Sequence, residues 1–231
     1  MFSIRYFVLC YIIYLCNAFP CVPPPAKRSD FEEIKHWPEN TVPYEFDSVY
    51  TVEEKMIMLQ GMAELTEMTD NCIRFVPYTD QPAWVRIVDG GGCSSYHGQH
   101  QENGYQELSM NRKSCIGKDI IKHEFLHALG FIHEQSRPDR DAYIKILYEN
   151  LVPDSSHNYD KVNKYSAVDL NIPYDISFYM HYNNQGFSIN GLPTMIPVKD
   201  ESISLRFTMG SPGGFNIKDV PRIKKQLGCP A

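Results

Sequence analysis

One short stretch, residues 123–133, constrains this chain more than any other part of it. It reads HEFLHALGFIH. On a helix, His123 and His127 project from one face, because residues four apart lie one turn above each other. Two neutral imidazole nitrogens at that spacing can bind one Zn²⁺. Gly130 can adopt a positive φ and end the helix, so the chain turns back and brings in His133 as a third nitrogen ligand. Three protein ligands leave the fourth position of a tetrahedral zinc to water, as in a catalytic centre.

An acidic residue completes the chemistry of this stretch. Glu124 lies beside His123 and is placed to take a proton from a water molecule that the metal activates. A bare H-E-x-x-H pattern occurs by chance, and a single histidine in a helix is usually an ordinary core or surface group. The extended pattern H-E-x-x-H-x-x-G-x-x-H is far more selective. It predicts a zinc site with His123, His127 and His133 as ligands and Glu124 as the catalytic base.

Size and charge limit what else the protein can do. With 231 residues, the chain is long enough for one compact domain or two lobes. Its formal net charge is −6 and it has no basic block, which argues against nucleic acid as a partner. We expect protein or peptide substrates as the partners, and a monomer.

The strongest apolar run lies at the N-terminus. It extends from Tyr6 to Leu15 behind Arg5, and the small residue Ala18 follows it. A run this short, with these flanks, predicts a secretory signal peptide of residues 1–18, and a retained membrane anchor is the alternative. We expect a secreted, extracellular protein with no stable membrane insertion after signal removal.

A Pro-rich segment, residues 19–28, follows and ends in the dibasic pair Lys27-Arg28. A dibasic pair suggests proteolytic processing. We therefore predict a short pro-segment, a zymogen, and a mature catalytic domain of residues 29–231. The alternative is a disordered N-terminal arm that stays attached.

Because the chain is predicted to be exported into an oxidising compartment, its cysteines can be used to predict disulfides. The chain has seven cysteines, of which Cys10 and Cys16 leave with the signal peptide and Cys21 lies in the Pro-rich segment. The other four lie in the body of the chain: Cys72, Cys93, Cys115 and Cys229. An even set in an oxidising compartment predicts two disulfides, and the residues alone leave all three pairings open.

Local patterns place the main elements. A helix is predicted from Thr51 to about Met68, because Thr51 and Glu54 have capping-box spacing. Its apolar residues fall largely on one face and are predicted to pack in the core: Met56, Leu59, Met62, Ala63 and Leu65. A last helix is predicted from Ile217 to Leu227.

Strands are predicted where apolar residues alternate or run together. They are Thr41 to Phe46, Cys72 to Val76, Ala83 to Val88 and Gln106 to Met110. The last of these is expected at an edge of the sheet, where it would pair with an extended peptide substrate.

A longer segment carries a family resemblance. Residues 123–141 read HEFLHALGFIHEQSRPDRD and resemble the active-site signature of the astacin family of zinc metalloendopeptidases. Other segments resemble that catalytic domain in order: Trp37-Pro38, Val42-Pro43-Tyr44, Cys72-Ile73-Arg74-Phe75, residues 90–96, residues 106–109, and Met180-His181-Tyr182, which matches the family's Met-turn. The resemblance covers roughly Trp37 to Cys229.

The resemblance implies a fold and a cofactor. The fold would be the two-lobed α/β metzincin fold, with a twisted mixed sheet and long helices in the N-terminal lobe. The C-terminal lobe would be mostly irregular and end in a helix, with one Zn²⁺ per chain in the cleft between the lobes. The implied disulfides are Cys93–Cys115 and Cys72–Cys229.

The resemblance also implies roles for single residues. Met180 would lie beneath the zinc as a packed floor. Tyr182 would be a metal ligand in the resting enzyme and would swing away on substrate binding, its hydroxyl then stabilising the tetrahedral intermediate. Glu134 would hold the mature N-terminal ammonium of Ser29 through water, and the alternative is that it only balances Arg137.

This chain departs from the family pattern at three places. No acidic residue precedes Arg28, so the aspartate that blocks the zinc in the family's pro-segments is missing, and a Cys21 thiolate is an alternative blocker. Phe178-Tyr179 replace the expected Ser-Val before the Met-turn. Residues 204–207 depart from the usual pattern, which leaves the substrate subsites unassigned.

Two other functions are consistent with parts of this pattern. One is a zinc-bearing secreted binding protein without proteolytic activity, against which the intact Glu124 and three histidines weigh. The other is a different metzincin, adamalysin-like or matrixin-like, which Glu134 after the third histidine disfavours.

Overall fold

The structure is a computed structural model that describes residues 34–162, 172–199 and 214–230. The predicted signal peptide and pro-segment, with Cys21, lie outside the described residues, as do residues 204–207. Within the described ranges, no helix is long and apolar enough to cross a membrane.

A five-stranded sheet, three helices and a two-stranded ladder make up the regular structure of the described residues. In chain order they are β1 (Thr41–Phe46), α1 (Val52–Met68), β2 (Arg74–Pro77), β3 (Ala83–Val88), β4 (Cys93–Ser95), β5 (Gly104–Met110), α2 (Lys118–Ala128), β6 (Ile144–Ile146), β7 (Met195–Pro197) and α3 (Val220–Gln226). Short 3₁₀ turns lie at Pro38–Asn40, Glu134–Ser136, Arg140–Ala142, Tyr148–Asn150 and Ser156–Tyr159. The predicted α/β class is confirmed.

The sheet has the strand order β2-β1-β3-β5-β4. The first four strands run parallel to their neighbours, and β4 pairs antiparallel with β5. In β3, Ala83, Val85 and Ile87 are buried and the residues between them are partly exposed, as alternation predicts for a strand that faces the core on one side.

The predicted edge position of Gln106 to Met110 is wrong. This segment belongs to β5, which lies between β3 and β4. The edge strand on this side of the described sheet is β4. With three residues, β4 is too short for its alternation to be recognised in the sequence.

The capping box at the start of α1 is confirmed. Thr51 Oγ1 accepts a hydrogen bond from the backbone N–H of Glu54 at 3.2 Å, and a Glu54 carboxylate oxygen accepts one from the Thr51 N–H at 2.8 Å. These two bonds satisfy N–H groups that the first turn of a helix leaves without intrahelical partners.

The buried face of α1 is not the predicted one. Of the five residues predicted to pack in the core, Met62 and Leu65 are buried. The other three are exposed: Met56, Leu59 and Ala63. Four consecutive residues, 56–59, are apolar, so periodicity alone does not select one face of the helix.

Close approach of α2 selects the buried face of α1. A Cβ atom at Gly61 would lie 2.5 Å from the Lys118 carbonyl oxygen and 2.7 Å from a methyl group of Ile121. Only glycine allows the backbones to come this close, so the side of α1 that carries Gly61, Met58 and Met62 faces α2 and the core.

Two disulfides hold the larger lobe together, and the pairing that the resemblance implies is confirmed. Cys93–Cys115 joins β4 to the segment before α2, and Cys72–Cys229 joins the start of β2 to the end of α3. The first disulfide therefore fixes the edge strand next to the helix that carries His123 and His127.

A second, smaller core lies after the metal motif. Strands β6 and β7 pair antiparallel, and the cluster around them consists of Ile144, Ile146, Leu151, Tyr159, Tyr174, Tyr182 and Met195. The chain in this lobe is mostly irregular, as expected. The last helix, α3, begins three residues later than predicted, with Pro221 in its first turn, where proline is well tolerated.

Candidate metal centre

The helix α2 carries the first two histidines of the motif. It ends at Ala128, and Gly130 follows with φ 103°. The N–H of Gly130 donates to the His127 carbonyl, and the N–H of Phe131 donates to the Leu126 carbonyl at 2.9 Å. This pair of bonds is a Schellman motif, which reverses the chain at a glycine. The motif H-x-x-G-x-x-H therefore turns back at Gly130.

The reversal brings three imidazoles together. The Nε2 atoms of His123 and His133 lie 3.2 Å apart, and those of His127 and His133 also lie 3.2 Å apart. The candidate ligand atoms of all three residues lie within 4.8 Å of one another. His127 and His133 are buried, while His123 is partly exposed.

The protonation of the three imidazoles suits a metal. Burial lowers the pKa of His123 to about 4 and holds the pKa values of His127 and His133 well below the ordinary value for histidine. All three rings are therefore neutral at pH 7, and each keeps one nitrogen lone pair. A neutral imidazole nitrogen is the form of histidine that binds a metal ion.

A hydrogen bond orients the middle ligand. His127 Nδ1 lies 2.7 Å from the Phe131 carbonyl oxygen, which can only accept, so Nδ1 carries the proton. The lone pair then belongs to Nε2, which faces His133. An outer contact of this kind, from the second ring nitrogen to a carbonyl, is the usual support of a metal-binding histidine.

Zinc fits this donor set. Three neutral imidazole nitrogens match the preference of Zn²⁺ for nitrogen ligands and tetrahedral geometry, whereas Mg²⁺ and Ca²⁺ require oxygen ligands. The three-histidine cluster can hold one Zn²⁺.

The proposed base and the Met-turn lie next to this cluster. Glu124 is fully buried on α2, directly after His123. Met180 is also fully buried, and its carbonyl oxygen accepts a hydrogen bond from the Glu134 N–H at 2.9 Å. The Met-turn is thus tied through the backbone to the residue that follows His133.

Tyr182 packs against the third histidine. Its ring centroid lies 4.5 Å from that of His133, and the residue is 7% exposed. The Tyr182 N–H donates to Gln135 Oε1 at 3.0 Å, while Tyr159 and Phe187 contact its ring at centroid distances of 5.9 Å each. The tyrosine expected at the metal site is therefore placed beside it.

Two aromatic rings that the motif does not contain also contact the ligands. Tyr179 packs edge-on against His123 at 5.5 Å, and its hydroxyl donates to the Asp119 carbonyl oxygen. His97 lies 5.0 Å from His127, and burial lowers its pKa to about 4. Nothing in the sequence singles out His97, because it lies in a loop outside the metal motif.

The Glu134 carboxylate accepts several hydrogen bonds from groups within this chain. The donors are Arg222, Arg137 Nη1 at 3.3 Å and the Asp175 N–H at 2.9 Å. The contact with Arg137 is one of the two contacts that the sequence predicts, whereas the sequence does not predict the contact with Arg222. The other expected partner, the ammonium of Ser29, lies outside the described residues.

Known proteins are similar to this chain in sequence. The family model described as Astacin, a peptidase family, matches residues 30–227. High choriolytic enzyme 1 of Oryzias latipes is 38% identical over 189 residues, which are 81% of this chain and 66% of that protein. Zinc metalloproteinase nas-14 of Caenorhabditis elegans is 39% identical over 171 residues, 73% of this chain and 33% of that protein. The chain thus spans about a third to two thirds of the length of these relatives.

Solved structures share the fold. One is described as high choriolytic enzyme 1, a hatching enzyme zinc-protease from Oryzias latipes. It matches with a TM-score of 0.73 and 35% identity, covering 86% of this chain and 95% of that chain. Myroilysin matches with a TM-score of 0.53 and 18% identity, covering 85% of this chain and 97% of that chain. The second likeness shows the fold alone.

Proposed function

Because this chain belongs to the astacin family of peptidases, we propose that it is a secreted zinc endopeptidase that hydrolyses peptide bonds in protein or peptide substrates. The single observation that carries the proposal is the convergence of three neutral imidazoles beside a buried glutamate, which lies on α2 together with two of the three histidines. A binding protein would not need that acid.

The chain's own residues divide the work of the reaction. His123, His127 and His133 hold the metal. When bound, Zn²⁺ supplies Lewis acidity that lowers the pKa of a water molecule toward about 7 and polarises a peptide carbonyl. Glu124 accepts the proton of the attacking water on a carboxylate oxygen and then passes it to the nitrogen of the leaving amine. Burial of Glu124 keeps bulk water from competing for that proton.

Tyr182 has two roles in this proposal. With the metal bound, Tyr182 would be a further protein ligand in the resting state, and its hydroxyl would donate a hydrogen bond to the substrate carbonyl oxygen as negative charge develops there. Its position beside His133 supports both roles, since its ring lies 4.5 Å from that imidazole. Met180 forms the packed floor beneath the site.

The substrate lies along β4 in this proposal. One side of β4 pairs with β5, and the other side offers backbone donors and acceptors to an extended peptide. The disulfide Cys93–Cys115 ties this strand to the start of α2, so a peptide paired with β4 passes close to the histidines of that helix.

Secretion and maturation are also part of the proposal. Residues 1–18 serve as the signal peptide and residues 19–28 as a pro-segment, and residues 29–231 act as a monomeric enzyme. Two disulfides in the described residues support an oxidising compartment. The apolar run from Tyr6 to Leu15 supports export.

A cleavage assay tests the proposal. The purified secreted protein is incubated with casein, with and without a zinc chelator, next to a Glu124→Gln variant. We expect cleavage by the wild type, loss of cleavage with the chelator, and no cleavage by the variant although it retains zinc. A wild type that binds zinc and cleaves nothing would favour the binding-protein alternative.

A further inference from the structure

Arg222, on the last helix α3, is a largely buried cation. Arg222 Nη2 lies 2.5 Å from Glu134 Oε2, and Arg222 Nη1 lies 2.9 Å from Oε1. The Arg222 side chain is 11% exposed and that of Glu134 is 2% exposed. Two parallel bonds between a guanidinium and a carboxylate fix both direction and distance, which an ammonium cannot do.

The same guanidinium also contacts the approach to the Met-turn. Its carbon lies 4.1 Å from the centroid of the Phe178 ring, a cation–π contact in a buried setting. Arg222 Nη1 donates as well to the Pro173 carbonyl oxygen at 3.3 Å. Phe178 lies two residues before Met180, so one arginine side chain contacts both the segment before the Met-turn and the loop after His133.

The third histidine depends on such contacts more than the other two. His123 and His127 lie on α2, whose backbone hydrogen bonds hold them in place. His133 lies beyond the Gly130 turn, in extended backbone with φ −64° and ψ 135°. Its position is therefore set by tertiary contacts of its neighbours, and Glu134, the next residue, forms buried ion pairs with Arg222 and Arg137.

From these contacts we propose that Arg222 is a positioning residue for the metal site. It holds Glu134, and through Glu134 it keeps His133 within ligand distance of the two helical histidines. The disulfide Cys72–Cys229 anchors the end of α3, and this restrains the position of the helix that carries Arg222. This inference rests on the proposed function in one respect: it assumes that the three histidines bind the metal.

The test compares two variants of Arg222 with a control on the same helix. Arg222→Gln removes the charge, and Arg222→Lys keeps the charge but cannot form the paired bonds. Lys224→Gln is the matched control. It removes an ion pair of the same helix, between Lys224 Nζ and Asp70 Oδ2 at 3.0 Å, that does not involve Glu134. The dissociation constant for Zn²⁺ is measured on each secreted full chain by competition with a chromogenic chelator.

We expect Arg222→Gln to raise the zinc dissociation constant at least tenfold, Arg222→Lys to raise it by a smaller factor, and Lys224→Gln to leave it within twofold of the wild type. Melting temperatures of the metal-free proteins separate affinity from simple stability. An Arg222→Gln protein that melts earlier but binds zinc as tightly as the wild type would overturn the proposal.

The test still gives an answer if one variant does not fold or if the wild type has no peptidase activity. If Arg222→Gln does not fold, the Arg222→Lys variant carries the comparison, and wild-type zinc affinity in that variant would overturn the proposal. A wild type without peptidase activity would refute the proposed function, but the zinc affinities would still decide the role of Arg222.

Discussion

His127 donates a hydrogen bond from Nδ1 to the carbonyl oxygen of Phe131, 2.7 Å away. The acceptor lies just beyond the Gly130 turn that also redirects the chain toward His133. A single local reversal therefore does two things: it delivers the third imidazole and it sets the tautomer of the second. The metal centre depends on that turn as much as on the histidines themselves.

Replacing the turn glycine tests this dependence. Gly130 has φ 103°, and an added Cβ atom would lie 3.0 Å from Ile34 and 3.4 Å from His36. We expect Gly130→Ala to lower the free energy of unfolding by about 1–2 kcal/mol, because an L side chain is strained at positive φ, and to weaken zinc binding. Urea unfolding measures the first effect. Gly91→Ala is the control, since a Cβ atom there meets nothing within 4 Å.

Stability should fall with acid in a way that depends on His181. This buried residue donates from Nδ1 to the Tyr182 carbonyl and accepts at Nε2 from the Tyr174 hydroxyl. Burial lowers its pKa from 6.5 to about 4. Between these values the unfolded chain binds the proton and the folded chain does not. The contribution of His181 to the free energy of unfolding is therefore fully present above about pH 6.5 and is lost as the pH falls toward about 4.

The size of the effect of His181 follows from the shift of its pKa. At about pH 5 the loss is about 2 kcal/mol. Urea unfolding of the metal-free protein at pH 7 and pH 5 measures it, and His181→Gln should reduce the difference by about that amount. His157→Gln, at an exposed position, is the control and should leave the difference as in the wild type. An equal pH dependence in wild type and His181→Gln would contradict the assignment.

The phenol beside the third histidine can be tested by removing one oxygen atom. We expect Tyr182→Phe to lower kcat about 100-fold with little change in KM, because a hydrogen-bond donor to the developing oxyanion is lost only in the transition state. Steady-state kinetics on a peptide substrate, together with zinc content, measure the change. Full kcat in a zinc-loaded Tyr182→Phe protein would show that the hydroxyl takes no part in the reaction.

The two disulfides should contribute unequally to stability. Cys72–Cys229 spans 157 residues of sequence and Cys93–Cys115 spans 22. On the chain-entropy account, the longer loop contributes about 2 kcal/mol more. Chemical unfolding of the Cys→Ser double variant at each disulfide compares them. A larger loss at Cys93–Cys115 would mean that local geometry around β4 and α2 outweighs chain entropy.

The sequence predicts the parts of this structure that local chemistry decides. The capping box at Thr51, the alternation in β3 and the glycine reversal at Gly130 each depend on residues a few positions apart. The site histidines follow from the same local logic. The pairing of the cysteines required the resemblance to a known family, because spacing alone allows three arrangements.

The features that the sequence does not predict depend on distant partners. The exposed Met56 is one, because only the approach of α2 to Gly61 decides which apolar face of α1 is buried. The pair of Glu134 with Arg222 is another, since 88 residues separate the two and no pattern links them. Both features depend on how distant segments pack against each other, and local patterns in a single sequence do not show that packing.

The central claim is that three imidazoles hold one Zn²⁺. The most direct measurement is the metal content of the purified secreted protein, compared with that of a His133→Ala variant after dialysis against a weak chelator. We expect one zinc per chain in the wild type and a loss of most of it in the variant. A wild type without stoichiometric zinc, or a variant that retains zinc as firmly as the wild type, would contradict it.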